Sequence, residues 1–348
     1  MLYSPAETHA RLDCMPTLPL RAALKHGALI VAANWPVVLI EFALESLYKF
    51  VLAVPVIGGA LMVAVLVGDD FVTIFGQGVR NAADLIISAL FTAPSALWTF
   101  FAAVGLVAVG GAIVMFIVKS GTLAVIVASE EVAGELQEGP IHLETLRRAY
   151  AYDLAAVIAA SRRFASRSAW LALGLSASYI TLGVGYVEAL AWALRLAEQT
   201  TWAPAWPLLV LLSTSTGVIG VTAANLAFDL LRVIVVTDDC GLRVAFSRLR
   251  AFLVADARQV IGIFGVVGLI VSAAMAVSVV TTAGLTFVAW VPFASLIAIP
   301  LQVIAWFVRG VVFQYVGLGA LSAYQTQYRR FSGAGGRSVV TPIWVQRA

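Results

Sequence analysis

The sequence predicts an all-α, polytopic membrane bundle of six transmembrane helices with cytoplasmic helix extensions and amphipathic interfacial helices. Three observations carry that fold class. First, residues 50–68, 85–118, 168–187, 199–228 and 259–308 contain no Asp, Glu, Lys or Arg. Second, hydrophobic residues make up 61% of the chain and charged residues 12%, against about 45–50% and about 25% in soluble domains. Third, the basic residues are concentrated on alternate connections between the apolar windows. An apolar stretch of about 18 residues is long enough to cross a bilayer as a helix. The last window is long enough for two crossings joined by a tight turn at 281–285, which brings the total to six.

The chain divides into an N-terminal tail at 1–17, a membrane domain at 18–331 and a flexible tail at 332–348. The tail at 1–17 carries Glu7, Arg11 and Asp13. The first apolar run is followed by no small-residue cleavage site, so the N-terminus does not read as a signal peptide. Segment 18–34 is amphipathic, and the first crossing follows at 50–67. The first outer connection, 69–94, is longer than a hairpin needs. Phe71, Ile74, Phe75, Val79, Ala82 and Ile86 recur near helical spacing there, predicting a short helix on the outer surface. A second amphipathic segment, 141–166, precedes span three, and a third, 241–260, precedes span five. In the third, Leu242, Ala245, Phe246, Leu249, Phe252 and Leu253 share helical spacing, with Arg243, Ser247, Arg248 and Arg250 elsewhere around the turn. The outer turns near 198–206 and 281–285 are short. Pro55, Pro292 and Pro300 are candidate kinks in spans one and six. Ser332-Gly-Ala-Gly-Gly336 reads as a flexible linker, and apolar residues 339–345 beyond it as a segment able to dock.

Orientation follows from the basic residues of the short loops. Arg11, Arg21 and Lys25 precede span one. Arg147, Arg148, Arg162, Arg163 and Arg167 lie between spans two and three, and Arg243, Arg248, Arg250 and Arg258 between spans four and five. Arg329, Arg330, Arg337 and Arg347 follow span six, whereas the alternate loops carry only Arg80 and Arg195. The expected location is a bacterial cytoplasmic (inner) membrane with both termini cytoplasmic. Cys14 and Cys240, the two cysteines, then face a reducing compartment as free thiols.

Seven charges stand near or within the spans: Glu41, Glu45, Lys49, Lys119, Asp229, Arg232 and Arg309. Lys119, Arg232 and Arg309 each have about one bilayer's length of charge-free sequence on their N-terminal side. They can therefore sit at the interface and snorkel, with apolar sequence continuing past them. Segments 121–128, 233–236 and 311–324 would then be exposed outside the membrane unless the amphipathic segments cover them. Glu41, Glu45 and Lys49 recur every four residues, on one helix face, with Glu45 and Lys49 in the favourable ion-pair order. The cluster admits three readings: ion pairing between helices, a basic pocket for a lipid phosphate or another anion, or an ion pathway.

Arg21 to Asn34 aligns without gaps on Arg243 to Asp256. This suggests a unit of one amphipathic helix plus two spans, used three times, with 143–165 as a weakly matching middle copy. Chance similarity between amphipathic helices is the competing explanation.

No catalytic motif emerges. His9, His26 and His142 lack zinc-ligand spacing, and neither Ser120 nor the hydroxyl-rich 213–216 carries a nucleophile elbow with a partner histidine. No metal or cofactor is expected. The basic segments are interspersed with Glu130, Glu131, Glu135, Glu138 and Glu144, which argues against nucleic-acid binding.

Two stretches carry a resemblance: Arg21-Ala-Ala-Leu24 with Ala33-Asn34-Trp35, and Ile234-Val-Val-Thr-Asp-Asp-Cys-Gly-Leu-Arg-Val-Ala-Phe-Ser-Arg-Leu249. In these and in layout the chain resembles bacterial six-span integral membrane proteins of unknown function. That group is similar to the membrane domain found beside some glycerophosphodiester phosphodiesterases. The resemblance implies a fold and not a reaction, since no phosphodiesterase domain is attached. The expected function is a non-enzymatic membrane scaffold or accessory subunit that binds membrane lipid, anionic lipid included, or a protein partner or second copy. The alternative is a transporter of a lipid or small anionic solute that uses the charged cluster.

Overall fold

The computed structural model describes residues 19–67, 94–134, 143–199, 205–289 and 295–334. Among these the chain forms eight helices: α1 (Leu20–Ala33), α2 (Trp35–Val67), α3 (Pro94–Ala133), α4 (Leu143–Arg148), α5 (Leu154–Glu198), α6 (Ala205–Asp238), α7 (Leu242–Ala289) and α8 (Ser295–Ala334). Six of them, α2, α3, α5, α6, α7 and α8, are long and apolar enough to cross a membrane. The all-α six-span bundle is therefore the fold, and the chain is a multi-pass membrane protein. The outer connection at 69–93, Pro292, Cys14 and the docking segment 339–345 lie outside the described residues.

The helices are too long for a bilayer alone. At about 1.5 Å per residue, the 40-residue α3 measures about 60 Å, against a hydrocarbon core of about 30 Å. The excess is visible in the burial pattern. Each of the six long helices has a part where large apolar side chains are exposed, as at Leu211, Leu212, Val218 and Ile219 of α6. Every residue at 120–127 of α3, 230–237 of α6 and 318–328 of α8 is buried. A helix stretch buried all round is the centre of a packed layer.

The cover over those stretches comes from the amphipathic segments. Gly27 of α1 meets α8 so closely that a Cβ there would stand 2.6 Å from the Gly319 carbonyl oxygen. Tyr315 of α8 donates a hydrogen bond to the Ala28 carbonyl at 2.9 Å. Gly121 of α3 makes the same kind of approach to Val157 and Ser161 of α5, and Ser120 and Ser168 share a 2.7 Å hydrogen bond. Phe252 of α7 packs edge-on against Tyr328 of α8, with ring centroids 5.5 Å apart. The apolar extensions at 121–128 and 233–236 are thus buried, whereas on α8 full burial begins only at Leu318 rather than at 311.

The chain divides into two compact units, residues 1–42 with 117–348, and residues 43–116. The second is an antiparallel helix pair. In it the Tyr48 hydroxyl donates to the Ala108 carbonyl at 3.2 Å, and Phe100 packs against Gly59.

Three expectations change. The tight turn expected at 281–285 is helix, and α7 runs unbroken through it to Ala289. Thr282 and Thr286 return their hydroxyls to the carbonyls of Ser278 and Thr282, each at 2.8 Å, so neither competes with the helical backbone. Lipid supplies no substitute partner for backbone groups, which favours a continuous helix there. Segment 141–166 is not one amphipathic helix: α4 ends at Arg148 and α5 begins at Leu154. The C-terminal linker starts later than Ser332, because α8 continues to Ala334 and the buried Ser332 bonds the Arg329 carbonyl at 3.0 Å.

Asn34 joins these pieces. It is fully buried at the break between α1 and α2, with φ −107° and ψ 41°. Its amide nitrogen donates to the Ile30 carbonyl at 3.0 Å, the Ser129 hydroxyl at 2.9 Å and the Ala149 carbonyl at 3.0 Å. Its oxygen accepts the Ala151 N–H at 2.9 Å. Ser129 and the Ala149 carbonyl keep their bond to each other, but Asn34→Ala takes the acceptor from the Ala151 N–H, at a cost of about 1–3 kcal/mol. Thermal unfolding in detergent is expected to show the lowered stability, with helix content before the transition unchanged.

Candidate functional site

The seven charges singled out in the sequence resolve into local contacts. Glu41 is 3% exposed and accepts the Thr122 hydroxyl at 2.6 Å. Lys119, one turn earlier on α3, is half-buried, and its carbonyl lies 3.0 Å from the same hydroxyl. Glu45 and Lys49 pair along α2 at 2.6 Å. Asp229 and Arg232 pair along α6 at 2.8 Å, with Arg232 buried and Asp229 partly exposed. Arg309 is exposed on α8 and donates to the Ser278 hydroxyl of α7 at 3.1 Å. The ion pairs recorded within this set join residues of a single helix.

Other residues make the ion pairs between helices. Asp238 ends α6 and takes both Arg248 of α7 and the Tyr328 hydroxyl of α8. Asp239 follows in a left-handed conformation, φ 47°, and pairs with Arg163 and, at 2.6 Å, with Arg167 of α5. Two adjacent carboxylates thus hold three helices at the end of a fourth. Glu131 of α3 pairs with Arg329 of α8. Beside it, buried Glu130 faces His26 of α1 at 4.0 Å. In the sequence, Asp238 and Asp239 lie within the resemblance-carrying stretch, but nothing local marks their partners, 72 and 76 residues away in the case of Asp239.

Cys240 follows in the same turn. Burial pushes its thiol above the ordinary range, with Arg248 opposing. A raised value keeps the sulfur protonated at neutral pH, and thiolate appears only as pH rises further.

A ligand-sized concavity lies elsewhere, between α7 and α8 in the part of the bundle with exposed apolar side chains. It is a groove of about 730 Å³, inside the range of about 300–1,000 Å³ usual for ligand sites. Ala274, Val277 and Leu285 line it from α7, and Leu301, Ala305 and Trp306 from α8. Its charged lining residue is Arg309, bonded across the groove to Ser278. Of the seven predicted charges, Arg309 is therefore the one that lines this groove. The long charge-free window had marked both walls as membrane helices, but only their pairing creates the concavity. Among the described residues, no group of His, Cys, Asp or Glu is arranged to hold a metal ion.

Fold and groove together define a multi-pass helical membrane protein with a mostly apolar cleft between two of its long helices. No family model matches the chain, and no curated protein or solved structure matches it.

Two measurements probe the polar turn after α6. Asp238→Asn should cost about 1–3 kcal/mol, because it weakens bonds to two partly buried partners. Glu45→Gln, which removes an exposed pair within one helix, should cost less than about 0.5 kcal/mol; chemical unfolding in detergent compares them. In a Cys14→Ser protein, maleimide should label Cys240 slowly at neutral pH and far faster once the chain is unfolded.

Proposed function

We propose that this protein is a non-enzymatic membrane scaffold or accessory subunit that holds lipid in the α7–α8 groove. The observation that carries this reading is the groove's make-up, mostly apolar walls open on the membrane side with one cation among them. Such walls suit an amphiphile better than a hydrated polar solute. The helical layer at the opposite ends supplies a rigid platform, held by buried side-chain hydrogen bonds and inter-helix ion pairs. The basic-residue asymmetry supports a bacterial inner membrane with the layer and both termini on the cytoplasmic side. A protein partner or a second copy would engage the exposed faces of that layer.

A transport reading has one observation in its favour: Arg309 lines the groove rather than the closed layer. A lipid or small anion moving along α7 and α8 would pass it. Reconstituted vesicles decide between the two. The scaffold reading expects labelled lipid or anion to redistribute no faster than in protein-free vesicles, and faster redistribution lost in Arg309→Gln would establish transport.

Filling the groove tests the main reading. Ala305→Trp places a large ring between the walls, and phospholipid co-purifying with the protein, measured by native mass spectrometry, should fall severalfold. Unchanged lipid retention in a folded Ala305→Trp protein would exclude the groove as the holding site.

A further inference from the structure

We infer that the occupant of the α7–α8 groove is an anionic phospholipid, with its phosphate on Arg309 and an acyl chain lying along the groove away from the helical layer. This inference rests on the lipid-binding reading and names the ligand's chemistry.

Charge argues first. Arg309 is a guanidinium cation, and no carboxylate is among the described residues that line the groove. Its partner there is neutral, the Ser278 hydroxyl at 3.1 Å. A cation in or near hydrocarbon is costly unless a counter-charge or polar partners accompany it. Among the described residues the groove supplies hydroxyls and an amide but no anion, so a phosphate is the complementary partner. Arg offers two parallel donors to such a group.

The other polar groups point the same way. Thr282 and Thr286 bond back to their own helix, so their hydroxyl hydrogens are already engaged. Thr281 and Gln302 also line the groove, yet most of the wall is methyl and methylene surface from residues such as Val277, Leu285, Leu301 and Ile304. A small hydrophilic anion would find one cation, a few hydroxyls and one amide set in mostly apolar walls, whereas an acyl chain would find matching surface along most of the groove.

Length and direction fit as well. From Arg309 to Leu301, the far lining residue on α8, is about 12 Å of helix at 1.5 Å per residue. One leaflet's hydrocarbon is about 15 Å deep, half of about 30 Å. In the other direction the buried layer begins at Leu318, about 13 Å along the same helix. Arg309 thus stands toward the layer end of the α8 wall, with Val312 and Phe313 beyond it and Leu301, Ala305 and Trp306 on its other side, and its stem can carry the guanidinium toward the headgroups of the layer side. The lipid belongs to the layer-side leaflet, the one that holds anionic lipid if the layer is cytoplasmic.

Trp306 lines the groove and reports on its contents. The full chain is placed in phosphatidylcholine vesicles that contain a fixed minor fraction of either brominated phosphatidylglycerol or brominated phosphatidylcholine. The Trp306 signal is the difference between wild type and Trp306→Phe. Brominated phosphatidylglycerol should quench it severalfold more than brominated phosphatidylcholine. Arg309→Gln should bring the two to the same level, and Arg309→Lys should keep part of the preference. Equal quenching by both lipids in the wild type, which needs no Arg309 variant, would overturn the anionic assignment and leave lipid binding standing. No quenching by either would remove the lipid reading altogether. Loss of the preference on adding excess inorganic phosphate at constant ionic strength would make a free anion the ligand and also overturn the proposal.

Discussion

The structure depends on a mismatch of length: helices of 40, 45, 48 and 40 residues cross a membrane that needs about 20. The surplus must be solvated by something other than lipid. On α3, α6 and α8 the surplus begins as apolar sequence, so water is a poor choice and protein is the remaining one. Wrapping amphipathic helices around three apolar helix ends solves this. Their inward faces cover the centre and their outward faces carry arginines to solvent. Small residues at Gly27 and Gly121 let the backbones approach closely enough for the wrap to pack.

A second constraint is where a helix changes role from cover to crossing. Residues Arg21 to Asn34 and Arg243 to Asp256, aligned without gaps in the sequence, end at comparable backbone breaks. Asn34 separates α1 from α2 with φ −107° and ψ 41°, and Asp256 interrupts α7 with φ −123° and ψ 26°. Asn and Asp suit such positions because their short side chains compete with helical hydrogen bonding. At Asn34 that competition is resolved by bonds that reach α3 and the 149–151 connection. The middle segment, 143–165, breaks earlier, between Arg148 and Leu154, and α5 then runs unbroken to Glu198. The two segments that align in sequence thus break at aligned positions, Asn34 and Asp256.

Much of this architecture was legible because it is written in composition. Charge-free windows mark the crossings, and helical spacing at Leu242, Phe246, Leu249 and Phe252 marks a helix with two faces. What was not legible is what depends on distant residues. Asp238 and Asp239 read as an ordinary polar turn, yet they collect Arg163, Arg167, Arg248 and Tyr328 from three other helices. His26 reads as a residue of the N-terminal segment, yet it is buried against Glu130. The hydroxyls near residue 282 read as a turn because Thr and Gly favour turns in water. In a membrane helix the same hydroxyls bond the preceding turn and the chain stays helical.

The same logic separates Arg309 from the other charges near the membrane. Glu41 takes a hydroxyl and is buried; Arg232 is buried and paired with Asp229; Glu45 and Lys49 neutralise each other along one face. Each lowers its own desolvation cost by a partner within the protein. Arg309 is exposed on the apolar side, lies nine residues short of the buried stretch that begins at Leu318 and lines a groove with no carboxylate among its described residues. A structural role would be served as well by an uncharged side chain bonding Ser278, at far lower cost in hydrocarbon. A guanidinium there makes physical sense when the surroundings bring the anion, and in a bilayer the abundant anion at that depth is the lipid phosphate.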